Sequence, residues 1–530
     1  MLHARCNGTF LYRWLPWLLG HNGFSRGAKI KAIKSVQTLY DRKKQKFHRE
    51  AFETSTDPII QSQMYTPEAL KTMNLSRLCH YLVSFGLQTP ELMDRYAARA
   101  EELAASLDSE QFALILNAMS RASHRHDGML QSFSKRMLPK LPLFIPRDLA
   151  RVCLAYAKLQ ERDEVLFRRL ALEMPHKLPL FDGRDLQMVA RAFAKLLIRD
   201  DLLFDDIADE VIRRPQDLDH ASLLVIASAF ARFNIRTQRL WPVLGEWLLQ
   251  SHLDFSAQDV GAVFNAFSTV DFEHKELFQT LLLSLSQEPL LSEASPSTLC
   301  LTFNAMVRLN WPRGHEAMEG LNVLVDKVSG RLADFDPVGL TQLLHACARF
   351  RPLQKKTQLV EGILEQCGEK IQEFPAQSLS LLVNSCARLQ QKDVNLLTKV
   401  AKSAAPLLPE FTPQALAVTA YGFAKLEVRS EILFYLLAEQ IVQKIPLFSG
   451  QGIGMVLQAY GKLHIDNKRL VQTCRKHLRS LSDELTLWEV DAIEDGFKQL
   501  DALDSWTETL LLNLRRQLST AQAENWTIMC

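Results

Sequence analysis

Nine basic residues recur at one register along the chain: Arg121, Lys158, Lys195, Arg232, Arg308, Arg349, Arg388, Lys425 and Lys462. Four residues before that register lies a second column, variable but mostly polar: His80, Asn117, Arg191, Ser228, Asn265, Asn304, His345, Asn384, Gln458 and Asp495. One cation per step of a repeating scaffold suits a polymer with regularly spaced negative charge, and single-stranded RNA is such a polymer. Asn, His, Gln and Arg side chains can hydrogen-bond the exposed edges of unpaired bases. Spacing by four puts both columns on one stripe of a helix. The expectation is that the nine cations hold phosphates. Asn117, Arg191, Asn265, Asn304, His345, Asn384 and Gln458 would then meet bases. Glu110, Arg147, Arg184, Gln258, Gln377, Gln414 and Gln451 fall on the same side. The rival reading has the Lys and Arg side chains solvated, or paired with acids of the next helix.

These columns need a repeated helix to carry them. Asp148-Leu-Ala-Arg-Val-Cys-Leu-Ala-Tyr-Ala-Lys-Leu159 is echoed by Asp185-Leu-Gln-Met-Val-Ala-Arg-Ala-Phe-Ala-Lys-Leu196 and by residues 415–426. A fifteen-residue window ending on the last Leu recurs with its fifth position at Leu75, Phe112, Leu149, Leu186, Leu223, Val260, Leu299, Leu340, Leu379, Leu416, Ile453 and Val490. Eight of the eleven gaps between these markers are 37 residues, and the others are 39 or 41. So regular a period is a repeat signature.

Each window has the marks of a helix. Its first position is Asp, Ser or Thr in nine copies, a side chain that accepts from the unpaired first amides. The preceding residue is Phe in seven copies, set to staple onto the marker. The eleventh position is Ala, Ser or Gly in eleven copies, which lets neighbouring helices approach closely. Positions 5, 8, 12 and 15 make an apolar face. A second amphipathic stretch, such as 164–174 or 430–444, completes each repeat. The fold class expected is all-α: a solenoid of about twelve helix–turn–helix repeats of ~37 residues forming a superhelix over residues 71–522. A linker at 51–70 precedes it and a short tail at 523–530 follows.

Composition agrees with a folded chain. Of 530 residues 47% are hydrophobic and 23% charged, which argues against wholesale disorder. No stretch reaches the ~18 apolar residues of a membrane-spanning helix. Nine scattered cysteines without a C-x-x-C pair form neither a disulfide framework nor a metal spacing. Charge is uneven. Residues 1–50 carry eleven basic residues against Asp41 and Glu50, and the remaining 480 sum to −7. The acid-free run before Asp41, with Phe10, Leu11, Trp14, Leu15, Trp17, Leu18 and Leu19 among the bases, reads as a targeting peptide to the mitochondrial matrix. A plastid leader is the lesser alternative. An acidic body also confines any RNA contact to the cation stripe.

Catalytic signatures are absent: no G-x-x-x-x-G-K-[ST], G-x-S-x-G or H-E-x-x-H occurs. Gly450-Gln-Gly-Ile-Gly454 imitates a dinucleotide loop but opens a repeat helix with no strand before it. His124-Arg-His126 with Asp127 imitates a metal cluster but reads as a solvated loop. Cys153, Cys300, Cys347 and Cys386 read as small core residues. No enzyme activity, metal or small-molecule cofactor is expected.

The 37-residue pair with its Ala-Tyr/Phe-Ala-Lys-Leu ending resembles the heptatricopeptide repeats of organellar RNA-binding proteins. It is similar also to the octotricopeptide and FAST-kinase-like families. The resemblance implies roles in organellar RNA stability, processing or ribosomal-RNA assembly, with single-stranded or ribosomal RNA as partner. Many such proteins end in a RAP domain, a small nuclease-like module. This chain departs from that pattern, continuing after Val490 as one more repeat to about Leu518. A second function class is a protein–protein scaffold or a subunit of a mitochondrial ribosome or other large complex. The lengthened repeats over 260–379 supply its candidate contact, a bulge at Asn310–Met318.

Overall fold

The computed structural model describes Leu75, Ser76, Cys79 and residues 89–481 and 485–529, without the side chains of Glu316 and of residues 519–529. The basic leader, the 51–70 linker and His80 lie outside the described residues. Among the described residues there are no strands, and the chain divides between Lys177 and Leu178 into two compact units.

The first unit contains α1 (Pro90–Leu103), α2 (Ser109–Arg121), α3 (Asp127–Met137), α4 (Pro146–Lys158) and α5 (Glu164–Glu173). Here α2 packs on α4, and α1 on α3. The second unit begins with α6 (Gly183–Leu196), α7 (Asp201–Arg213), α8 (His220–Arg232), α9 (Leu240–Gln250), α10 (Ala257–Thr269) and α11 (Lys275–Leu285). It continues through α12 (Pro296–Leu309), α13 (His315–Ser329), α14 (Pro337–Arg349), α15 (Thr357–Lys370), α16 (Ala376–Leu389) and α17 (Val394–Leu407). It ends with α18 (Pro413–Lys425), α19 (Glu431–Lys444), α20 (Gly450–Lys462), α21 (Lys468–His477), α22 (Leu487–Gln499) and α23 (Ser505–Met529), which runs on through residues 523–529. The even-numbered helices stack in sequence from α6 to α22, and the odd-numbered ones from α7 to α21. This two-layer, neighbour-on-neighbour packing is the α-solenoid arrangement.

The even-numbered helices are the windows of the sequence. All nine Asp, Ser and Thr caps accept a hydrogen bond from the amide three residues on, as from Asp182 to the Asp185 amide and from Thr412 to the Ala415 amide. Asp108, Ser256 and Thr486 complete a reciprocal box with Gln111, Asp259 and Glu489. The seven Phe residues before the caps are buried, and so are all the markers. Glycine at the small position shows the closeness required: a Cβ on Gly422 would lie 2.5 Å from Cγ1 of Val383.

The ends of the even helices repeat as faithfully as their starts. Ser123, Gln160, Leu197, Asn234, Asp271, Asn310, Gln390, Glu427, His464 and Asp501 all take positive φ at the same register. The backbone must turn left-handed there to leave the helix. In the copy after α14, a single turn at Arg351–Gln354 takes its place. Leu197, with φ 55° and its side chain half in solvent, carries the steric cost of that conformation with little burial in return. Leu197→Gly is expected to raise stability by roughly 1 kcal/mol, less the extra chain entropy glycine loses. Urea titration of the two proteins checks it.

The longest of the lengthened repeats turns part of its extra loop inward. Of the Asn310–Met318 segment only 310–314 is loop, and α13 begins at His315. Trp311 turns inward, 3% exposed, with its ring 5.5 Å from that of Phe278 and 5.9 Å from that of Phe264. Burying an indole outweighs leaving it on a loop, so Trp311 joins the core, while Arg313 and Gly314 stay exposed.

Candidate nucleic-acid interface

The cation column survives folding as a solvent-facing set. All nine of its side chains are exposed, at the C-terminal turns of even-numbered helices. Their neighbours four residues earlier are half-buried, except Arg191, Ser228 and Tyr421, which are exposed. In the first unit Asn117 and Arg121 lie on α2 and Lys158 on α4.

In the second unit the columns converge on two cavities. One, of ≈ 640 Å³, is lined by Arg191, Lys195, Arg232 and Asn265 from α6, α8 and α10. The other, of ≈ 890 Å³, is lined from α14 to α22. It gathers His345, Arg349, Asn384, Arg388, Lys425 and Gln458, with Gln414 and Gln451 on the same wall. Asn304, Arg308 and Lys462 line neither. Arg308 donates to Oγ1 of Thr269 at 3.0 Å, and Lys462 lies 3.6 Å from the Glu427 carboxylate.

Partnership separates this column from two others. At the loops after five of the even helices, Arg125, Arg162, Arg199, Lys392 and Arg429 meet carboxylates, as in Arg199–Asp201 at 2.7 Å and Arg162–Glu164 at 3.0 Å, while Arg236 at the same register donates to the Asn234 side-chain oxygen. At the end of the odd helices, Lys140, Lys177, Arg214, Lys370 and Lys444 donate to main-chain carbonyls. Each reaches the carbonyl of the residue just before its own repeat's cap: Leu107, Phe144, Phe181, Phe335 and Phe411. These clamps close the repeat on itself and engage their own donors. Lys158, Lys195, Arg232, Arg349, Arg388 and Lys425 by contrast have no carboxylate within ion-pairing reach among the described residues. Their charge is available to an outside anion.

The carbonyl clamps were not read from the sequence; their only signal was a Lys or Arg 28 residues after five of the twelve markers, with Lys370 displaced to 30 residues after Leu340. Lys444→Met would leave the carbonyls of Pro409 and Phe411 without their charged donor. A loss of about 1.5–3 kcal/mol is expected. Lys425→Met should leave stability within ~0.5 kcal/mol. Parallel denaturant titrations distinguish a clamp from a free cation.

His345 differs from its column-mates. Burial, reinforced by the charges of Arg349 and Arg388, holds its pKa below the ordinary imidazole value. The ring is therefore neutral near pH 7, and its buried Nδ1 has no hydrogen-bond partner. Gln458 gives its amide nitrogen to the Ala492 carbonyl at 3.3 Å, leaving its oxygen as an acceptor at the cavity. Neutral groups with unspent hydrogen-bonding capacity beside cations suit base edges beside phosphates.

The residues that imitated catalytic motifs have structural work. His126 caps α3 through the Met129 amide, His124 meets Asp94 at 2.9 Å, and Arg125 reaches Glu161 and the Leu159 and Gln160 carbonyls. That loop is thus an inter-repeat tie, where a solvated loop was expected. Among the described residues no cluster of His, Cys, Asp or Glu has the geometry to hold a metal. Gly450 and Gly454 face α22 at close range. The thiols of Cys300, Cys347 and Cys386 are buried and pushed up to about 12, which makes them inert. No described helix is long and apolar enough to cross a membrane.

Two aromatic side chains at the larger cavity escaped the sequence reading. Tyr421 occupies the variable column of α18, and Trp488 sits two residues after the cap of α22. Both are exposed, Trp488 by 64%.

A family model described as RNA-editing substrate-binding complex 8 protein matches residues 99–406, more than half of the chain. No curated protein matches the sequence. Among solved structures, a homology model of the full-length AP-3 complex in an intermediate open conformation covers 93% of this chain and 100% of its own at 11% identity, with a TM-score of 0.32. A circular tandem repeat protein with novel repeat topology covers 86% of this chain and 97% of its own at 13% identity, with a TM-score of 0.18. Likenesses that loose carry no argument.

Proposed function

The chain belongs to the family of RNA-editing substrate-binding complex 8 proteins, and from that premise we propose that it is a non-catalytic helical-repeat protein that holds single-stranded RNA for an RNA-editing substrate-binding assembly. The observation that carries this reading is the contrast among the cation columns. Five members of each of two columns are engaged by carboxylates or carbonyls, whereas six members of the third face solvent without an anion among the described residues. An unpaired cation repeated on successive helices is costly in self-repulsion unless a polyanion answers it.

The finer parts of the proposal rest on the sequence. The basic, acid-free N-terminus supports a place in the mitochondrial matrix. The Ala-Tyr/Phe-Ala-Lys-Leu ending supports kinship with heptatricopeptide repeats, and with it a role in RNA stability, processing or ribosomal-RNA assembly. No cofactor enters the reading.

A second reading, a protein scaffold within the same kind of assembly or in a mitochondrial ribosome, is favoured by a different set of residues. Leu143, Leu180 and Leu447 precede the buried Phe of their loops and are 73–75% exposed. Ile432 and Tyr435 are likewise open on α19. Such side chains suit contact with protein; Leu447 also lines the larger cavity, whereas Ile432 and Tyr435 line neither cavity. Crosslinking in intact cells, followed by sequencing of RNA recovered with the tagged chain, tests the first. Discrete organellar RNA sites are expected. Clean recovery of the protein with no RNA above background would leave the scaffold reading alone.

A further inference from the structure

The larger cavity is more than a row of cations. Its floor is apolar where Ala417, Val418 and Met455 reach it, and its rim carries Arg349, Arg388 and Lys425. Tyr421 and Trp488 open onto the same space. An exposed aromatic ring stays hydrated with no packing partner to cover its apolar face; Trp241, Tyr156 and Tyr460 are by contrast fully buried, while Tyr435 and Trp506 are exposed but line neither cavity. Tyr156 and Tyr460 spend their hydroxyls on the Leu130 and Phe434 carbonyls within the core. Tyr421 makes no such bond among the described residues.

We propose that this cavity is a base-stacking subsite for single-stranded RNA, with Tyr421 and Trp488 as two separate platforms for unpaired bases and Arg349, Arg388 and Lys425 holding the intervening phosphates. The proposal rests on the RNA-holding reading above and says where on the chain unpaired bases are gripped. The rings stand on α18 and α22, with α20 between them. Packed helices lie about 8–10 Å apart, so one base cannot touch both rings, and the two platforms take different nucleotides. Every base has a π-face, so stacking supplies affinity without fixing sequence. Choice among bases falls to the neutral His345 and the free oxygen of Gln458 beside the platforms. A duplex keeps its bases stacked on one another and has none to offer.

The experiment uses the full chain and a fluorescein-labelled mixed-sequence 20-nucleotide RNA, single-stranded or annealed to its complement, with binding read by anisotropy across a salt series. Tyr421→Ala and Trp488→Ala should each weaken single-strand binding roughly five- to a hundred-fold. Their salt slopes should parallel the wild type, because no ion contact is lost. Tyr421→Phe, which keeps the ring, should bind as the wild type does. The duplex should bind at least about ten-fold more weakly than the single strand. Trp488 is so exposed that its truncation disturbs no core, which keeps the test independent of any folding defect at Tyr421. If wild type binds with a steep salt slope and both Ala variants match it within about two-fold, the stacking subsite is wrong while RNA holding stands. Equal affinity for duplex and single strand overturns the subsite too. A wild-type chain that binds neither RNA overturns both readings.

Discussion

Replacing Lys158, Lys195, Arg232, Arg349 and Arg388 together with Ala will flatten the salt dependence of RNA binding and weaken it by orders of magnitude. Each phosphate neutralised on a single strand contributes about 0.7 to the slope of log affinity against log salt. Five lost contacts therefore remove about 3.5 from that slope, and near 0.15 M salt the affinity falls roughly a thousand-fold. Folding should be untouched. All five side chains are exposed, and none meets a carboxylate among the described residues. Anisotropy titrations from about 0.05 to 0.3 M salt read slope and affinity together. An unchanged slope would return the column to an ordinary solvated surface.

The largest effect on stability is expected at Gly496. It holds the small position of α22, and a Cβ there would lie 2.5 Å from Cβ of Leu457 and 3.0 Å from the amide nitrogen of Gln458 on α20. Backbone cannot step aside as a flexible side chain can. Gly496→Val must therefore prise the helices apart or break a rotamer, at a cost of about 3 kcal/mol or more. Repeat stacks distribute stability between nearest neighbours, so the damage should be local. Hydrogen exchange is the suitable measurement: amides of α20, α22 and α23 should lose protection while those of α6 to α10 keep theirs. Uniform loss along the chain would mean that the unit unfolds as one.

Legibility from sequence followed the range of the interaction. Helix starts were plain because a cap such as Asp219 bonds an amide three residues away, so cause and effect share one short segment. The apolar face was plain because helical period alone selects it. The carbonyl clamps were not, because Lys370 and Phe335 are 35 residues apart and meet only once the repeat closes. Nor could the sequence distinguish Arg199, neutralised by Asp201, from Lys195, which meets no acid. Pairing is decided by where side chains project after folding, and the cation columns look alike in one dimension. The break between Lys177 and Leu178 falls inside Lys-Leu-Pro-Leu-Phe, a string that also occurs at 140–144, so the period gives no sign of it. Trp311 misled for a simpler reason. Added residues suggest a loop, but an indole with Phe264 and Phe278 in reach goes to the core.

For the site, the polar columns were found and the aromatic ones passed over. Tyr421 interrupted a column read as polar, and the Trp488 position was read for its Gln and Arg members. Stacking needs such interruptions, since a platform and a hydrogen-bonding edge belong on the same wall.

The central claim is that single-stranded RNA runs along the exposed face of the even-numbered helices α6 to α22. Photocrosslinking a bound RNA to the full chain, with mass-spectrometric identification of the crosslinked residues, tests it most directly. Crosslinks are expected at Tyr421 and Trp488 and on the peptides that carry Lys195, Arg232, Arg349, Arg388 and Lys425. Crosslinks confined to the odd-numbered helices, around Ile432 and Tyr435, would contradict the account and give that face to RNA instead.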